Sequence, residues 1–443
     1  MPMGRIGRTL SISLLAGAAS VCAAQAPPAN PVALKLSLAD AVKLAMQQNP
    51  RRVIAGLNTA TSNRDRQIAA SALLPQAAMT ADAYIDRYNA QSILANPNPT
   101  TIGPFQVFEV GPRFSQSVFD LPLIRQYQAS KQNVITARAE ESVTREDVTT
   151  AVVRSYLLAL RSDANLDAVR AQVVLAERLY KQAGDLQRTG IGLRIDTLRA
   201  EVELQNQRQR LIDAETATRT TRYLVAELLL LPSDQQFELT DRMSYDKLVE
   251  VDSNALLSQA LAARPEMKSV LSRQRTAELA HKGASEARLP RFDFLGDWLY
   301  QGRHFSDGIP AYTYELALQF PLFTSGRIHA QIANASLEER RVAEDRRAIE
   351  AQITREVRTA ADELEAARKA VEVAELGLRL ANDEVAQAER RFSAGVTTNI
   401  EVITAQDALA RASNNEVEAL YRFNQSRANL ARAVGSIEST YAK

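Results

Sequence analysis

Cysteine is nearly missing from this chain: among 443 residues there is one, Cys22. A disulfide framework and thiol chemistry are therefore not expected. The three histidines, His281, His304 and His329, are scattered and show no metal-ligand spacing. No glycine-rich loop leads into a lysine and a hydroxyl, so the Walker pattern is missing. No nucleophile, base and orienting residue form a recognisable set. Glu and Arg are plentiful, but in the pattern of solvated helix faces. An enzyme is not expected, and neither is a cofactor or a metal. The net charge of +1 lacks the basic excess of a general nucleic-acid binder. Glycine and proline are few for the length, 17 and 16. Beyond the N-terminus there is no apolar run of about eighteen residues, so no transmembrane helix is indicated. A globular chain of this length would hold about two or three domains.

What is present begins with a secretory pattern. Arg5 and Arg8 form a basic region, and Leu10 to Ala19 is an apolar core too short to span a bilayer. Cys22-Ala23-Ala24 offers small residues before a cut ahead of Gln25, giving a signal peptide over 1–24. The rival reading is lipidation of Cys22, which needs a small residue before the cysteine where Val21 stands.

The rest reads as one plan written twice. A short amphipathic helix, Leu38 to Gln48, closes at Asn49-Pro50; another, Asn254 to Ala263, closes at Arg264-Pro265. Each is followed by a second helix ending at Leu-Pro, Leu74-Pro75 and Leu289-Pro290. Extended aromatic sequence then runs over Ala78–Tyr88 and Phe105–Phe119, and over Phe292–Gln301 and Tyr312–Phe320, each pair split by a loop. Long helices follow: Leu123 to Gln187 and Ile195 to Leu231 around Gly190, then Arg327 to Phe392 and Asn399 to Val434 around Gly395. At about 1.5 Å per residue, the longest reach roughly 100 Å. We read a first repeat over 25–231, a polar connector over 232–253, a second repeat over 254–435 and a tail over 436–443. A repeat this long is a duplicated domain, not a solenoid of short units.

The most regular stretch is Val357 to Phe392. Val357, Ala360, Leu364, Ala367, Val371, Ala374, Leu378, Ala381, Val385, Ala388 and Phe392 keep strict 3-4 spacing. That is a left-handed coiled-coil seam. Alanine at every second position admits a close neighbour, so Ala374, Ala381, Ala388 and Phe392 are expected to pack the paired helices near Gly395.

The extended runs alternate. Tyr312, Tyr314, Leu316, Leu318 and Phe320 fall on one face, and Thr313, Glu315, Ala317 and Gln319 on the other. Phe108, Val110, Pro112 and Phe114 alternate with Glu109, Gly111, Arg113 and Ser115. A half-buried soluble sheet would give the same alternation. The secretory pattern, the recurring carboxylates and the want of a core to cover the apolar face favour membrane strands with a polar lumen. Four such strands cannot close a barrel, and an open edge in lipid leaves backbone groups unpaired, so several chains must share one.

With these features in place the chain resembles the TolC-like outer-membrane efflux proteins (outer membrane factors). The carriers are Asn49-Pro50, Arg264-Pro265, both Leu-Pro steps and the run Arg391-Phe392-Ser393-Ala394-Gly395-Val396-Thr397-Thr398-Asn399-Ile400-Glu401-Val402-Ile403-Thr404-Ala405-Gln406. The resemblance implies an α+β membrane protein, internally duplicated and homotrimeric. Antiparallel long helices would form a coiled-coil barrel in the periplasm, and four strands per chain a shared outer-membrane β-barrel. It implies an exit duct of a tripartite efflux or type I secretion system, set in outer-membrane lipid. Its partners would be a periplasmic adaptor (membrane fusion protein) and an inner-membrane transporter. Gly190 and Gly395 would be the tip turns that dock the adaptor, and Asp196 and Glu401 would line the constriction. Three positions depart from the pattern. Thr404 stands where a second acid would, Phe392 lacks a tyrosine hydroxyl, and Thr397 replaces a base that can pair across the gate. The alternative for both acids is favourable charge at a helix start. The rival for the whole chain is a periplasmic adaptor or structural coiled-coil protein.

Overall fold

The computed structural model describes residues 34–89, 101–232, 235–245 and 252–442. The expected signal peptide and the Cys22 question lie outside them. In chain order the elements are β1 (Leu34–Leu36), α1 (Leu38–Gln48), α2 (Pro50–Ser71), β2 (Gln76–Asn89), β3 (Thr101–Phe119), α3 (Leu121–Arg188) and α4 (Arg194–Leu229). Then come β4 (Phe237–Leu239), α5 (Ser253–Ala263), α6 (Pro265–Glu286), β5 (Arg291–Gly302), β6 (Ile309–Gln319), α7 (Arg327–Ser393), α8 (Asn399–Val434) and α9 (Ile437–Tyr441).

Local chemistry sets the helix ends. Ser37 caps α1, its Oγ accepting from the Asp40 N–H. Asn49 ends α1 and caps α2, its Oδ1 accepting from the Arg51 N–H, with Pro50 in the first turn. The matching step in the second half differs: Arg264 precedes Pro265 but makes no side-chain cap, and its guanidinium turns inward instead.

The four long strands form one antiparallel sheet in the order β2-β3-β5-β6. Two expectations need revision. Strand β3 begins at Thr101, so Gly103 and Pro104, expected in a loop, are strand. Pro310, also expected in a loop, lies in β6, an edge strand where a missing N–H is tolerated. The connector also holds more than polar coil: β4 pairs in parallel with β1. A short strand of three residues gives no period to read. The small sheet covers a core of Val42, Val152, Leu229, Phe237 and Tyr156, whose hydroxyl lies 2.8 Å from both the Leu36 carbonyl and Asp241. The tail is docked too, with Ile437 of α9 fully buried.

The helices form a sheet-like array. Near the strands the order is α2-α3-α6-α7; towards the far end it is α4-α3-α8-α7. Between the levels lies a charged junction. Arg432 of α8 donates to Glu146 of α3 at 2.9 Å, to Asp147 at 2.9 Å and to Glu266 of α6 at 2.6 Å. Arg264 donates to Glu266 and to Glu356 of α7. Burial alone would raise the Glu266 carboxyl, but Arg264 and Arg432 outweigh it and hold it at about 2. For Glu146 burial wins over the pull of Arg432 and pushes the carboxyl up to about 7.

Candidate functional site

Two surfaces bear on function: the faces of the long sheet and the far tip of the helical array. Register fixes the first. Asp82 pairs with Glu109, Glu109 with Gln301, Arg113 with Asp297, and Asp297 with Thr313, so these side chains share one face. Tyr84 and Gln301 each donate to Glu109 at 2.7 Å, and Arg113 sits 3.1 Å from Asp82. The other face is apolar across all four strands: Met79 and Ile85, then Phe108, Val110 and Phe114, then Phe294, Trp298 and Tyr300, then Tyr312, Tyr314, Leu316 and Leu318. Among the described residues only Phe305 packs on it, against Phe108 and Tyr300; Met79 is 75% exposed and Tyr312 69%. A continuous apolar face of this size is an interaction surface. Tyr84 lies on the polar face and serves Glu109.

At the tip, Gly190 and Gly395 end the helices α3 and α7 with φ of +80° and +69°. A side chain there would be strained, so glycine closes both turns. The Gly192 N–H donates to the Leu186 carbonyl, and the Val396 N–H to the Arg391 carbonyl. The stripe on α7 is buried as expected at Val357, Ala360, Leu364, Ala367, Val371, Ala381, Val385, Ala388 and Phe392. Ala374 and Leu378 are only partly buried, Ala374 beside Leu364, Val371 and Phe423. Ala388 and Phe392 join Val402 and Ala405 of α8 with Leu179, Ala183 and Ala200 of the first hairpin in one cluster. The stripe therefore packs α7 on α8 and also reaches the other hairpin.

Both expected acids sit in first turns, Asp196 in α4 and Glu401 in α8. Each has an arginine beside it: Arg199 lies 3.7 Å from Asp196, and Arg391 lies 3.3 Å from Glu401. The spacing of Arg199 from Asp196 is the ordinary helical pair. Arg391 acts across the turn, from the end of α7 to the start of α8. Thr404 is exposed and Thr397 half-buried. The residue that sequence reasoning passed over is Asn399. It is fully buried, and its Nδ2 donates 2.8 Å to the Asp196 carbonyl, linking the two hairpins. Its Oδ1 has no partner, an arrangement that costs about 1–3 kcal/mol. Read from sequence alone, a polar residue at a helix start passes for a cap.

Among the described residues no helix is long and apolar enough to cross a membrane, and no group of side chains suits a metal ion.

Similarity to known proteins follows this geometry. The chain is 22% identical over 387 residues to outer membrane protein TolC of Vibrio cholerae serotype O1, covering 83% of each. Its fold matches the CmeC outer membrane channel of Campylobacter jejuni at a TM-score of 0.78 and 16% identity, over 90% of this chain and 86% of that one. It matches the outer membrane protein VceC of Vibrio cholerae at 0.75 and 17%, over 90% and 96%. The family model described as outer membrane efflux protein matches residues 41–229 and 256–436. That is most of the chain, which therefore belongs to the outer membrane efflux protein family, a family of TolC-like channels and not of enzymes.

Proposed function

We propose that three copies of this chain close into one passive duct through the outer membrane and across the periplasm. One observation carries the reading: at every level the chain leaves the same two edges open. In the sheet they are β2 and β6; in the upper helical array α2 and α7; in the lower array α4 and α7. The lower edges carry exposed apolar residues at coiled-coil spacing, Ile195, Leu198 and Val202 on α4, and Val373, Leu376 and Leu380 on α7. Four strands are too few for a barrel, so the first-half edge of one copy must meet the second-half edge of the next. Closure by three gives a barrel whose apolar face meets lipid and whose Asp82, Glu109, Asp293 and Asp297 face water. Below it the 67-residue α7 reaches roughly 100 Å into the periplasm.

The two halves repeat their elements in one order, which supports an internal duplication. The far turns at Gly190 and Gly395 form the periplasmic mouth, lined by Asp196 and Glu401. That end docks an adaptor and an inner-membrane transporter of a tripartite efflux or type I secretion system, which supplies the energy. Fractionation tests the reading. A heat-resistant trimer extracted from outer membranes only by detergent is the expected result. A soluble monomer in the periplasm would overturn it in favour of an adaptor or a structural coiled coil.

A further inference from the structure

We propose that Asn399 is the positioning residue that holds the second hairpin's tip against the first and so sets the resting width of the mouth. This rests on the reading of the tip as the channel's narrow end. Asn399 opens α8 and is 0% exposed. Its apolar neighbours at the tip are Ala200, Ala388, Phe392, Val402 and Ala405. A leucine would fill similar space and orphan no atom, so packing alone does not require an amide. What the amide adds is a directed bond from α8 to the first turn of α4, at the Asp196 carbonyl.

That bond has no company. Tipward of the Arg161–Glu418 ion pair, it is the only side-chain hydrogen bond or ion pair between the two hairpins among the described residues. The helix between Glu418 and Asn399 spans roughly 30 Å. Over it a polar cleft of about 450 Å³ lies between the hairpins, with Asn165 and Gln172 on α3, Arg210 and Asp213 on α4, and Asp407 and Asn414 on α8. Just tipward, Gln207 Oε1 on α4 and Gln406 Nε2 on α8 are buried without partners. An interface that leaves its own polar groups unpaired is weakly held closed, so the satisfied bond at its end decides the position of the tip.

The test is Asn399→Asp in the full chain, purified and recorded in planar bilayers. At pH 8 a carboxylate would face a carbonyl oxygen, and the resting conductance is expected to rise about fivefold, equivalent to ~1 kcal/mol. A buried carboxyl titrates above its ordinary range. On acidification it regains an O–H, donates to Asp196 again, and the excess over the unmodified protein should vanish. Asp196, Arg199, Arg391 and Glu401 surround the site in both proteins, so the unmodified channel is the reference at each pH. Asn399→Leu should give a rise that does not depend on pH. Nitroxides on exposed Glu201 and Thr404 should report a wider separation of α4 and α8 in both variants at pH 8. Unchanged conductance and label distance in Asn399→Asp, or an excess that persists in acid, overturns the proposal. Should that variant not assemble, an unchanged label distance in Asn399→Leu does so. An unmodified chain that forms no pore sinks the channel reading and this inference with it. An unmodified pore with indifferent Asn399 variants sinks this inference alone.

Discussion

The two hairpins meet at the charged junction and at the tip, and the two attachments are built from different chemistry. At the junction Arg432 and Arg264 bind four carboxylates from three helices, within a body that also buries Tyr156 and Phe423. At the tip there is a patch of alanine, valine and one phenylalanine, with a single amide bond. The same helices, α3 and α8, are therefore fixed at one end and lightly held at the other. Sites with few buried contacts open at low cost, and motion is expected at the tip before the junction.

The largest effect should follow from cutting the junction. Arg432→Met keeps an unbranched apolar stem but removes the guanidinium of a side chain that is only 16% exposed. Glu146 and Glu266 would then lose their shared cation in a buried setting. Breaking such a network costs about 3–5 kcal/mol. A large fall in melting temperature is expected and, on the trimer reading, loss of the trimer on gels. A variant as stable as the parent would show the junction to be no stronger than the tip.

Next comes overpacking at the tip. Ala388→Leu adds three carbons where α7, α8 and the first hairpin meet. Such insertions cost about 1–3 kcal/mol, and here the strain falls where the array is most lightly held. Ala381→Leu should behave alike, and Ala374→Leu should do least because Ala374 is partly exposed. On the channel reading, resting conductance rises in the triple variant while the junction stays folded. An unaltered resting conductance in the triple variant would refute the role given to the alanine column.

The junction also predicts a pH profile. Glu266 is held at about 2, below the ordinary carboxyl near 4.3. Its contribution is present above about pH 4.3 and is lost as pH falls towards 2. Glu146 lies the other way, at about 7. Its charged form is disfavoured in the fold, so its cost is full above pH 7 and fades as pH falls towards 4.3. Stability should therefore rise from pH 8 to about pH 5 and fall below about pH 4. Glu146→Gln should remove the rise and stabilise the protein at pH 8, on the order of 2 kcal/mol. Thermal melts across pH check both limbs, and a Glu146→Gln profile parallel to the parent's would reassign the rise to another group.

Much of this architecture is legible in the sequence because local signals carry it. Pro50, Pro265, Gly190 and Gly395 punctuate the helices, and the 3-4 stripe and the period-two strands name their own faces. What was missed is carried by distance along the chain or by brevity. Arg432 meets Glu146 from 286 residues away, and no spacing rule links them. Strand β4 is too short to alternate. Asn399 resembles a cap until its neighbours in space are known, and Arg391 reaches Glu401 only because a tight glycine turn returns the chain.

The smallest effect on stability belongs to Glu401→Gln. Its side chain is 47% exposed, and its ion pair with Arg391 spans 3.3 Å. Surface changes of this kind fall within about 0.5 kcal/mol, so melting temperature should barely move. Charge selection is a different matter. Three copies would place Glu401 in a ring, and carboxylate rings favour cations in pores. Arg391 lies in the same ring and offsets part of that charge. Glu401→Gln should therefore shift the reversal potential in a salt gradient towards anions, and Arg391→Gln should shift it the other way. Opposite shifts would separate a charged throat from a helix start that merely prefers an acid. If Glu401→Gln leaves the reversal potential unchanged, Glu401 serves its helix alone, and the charged-throat reading fails.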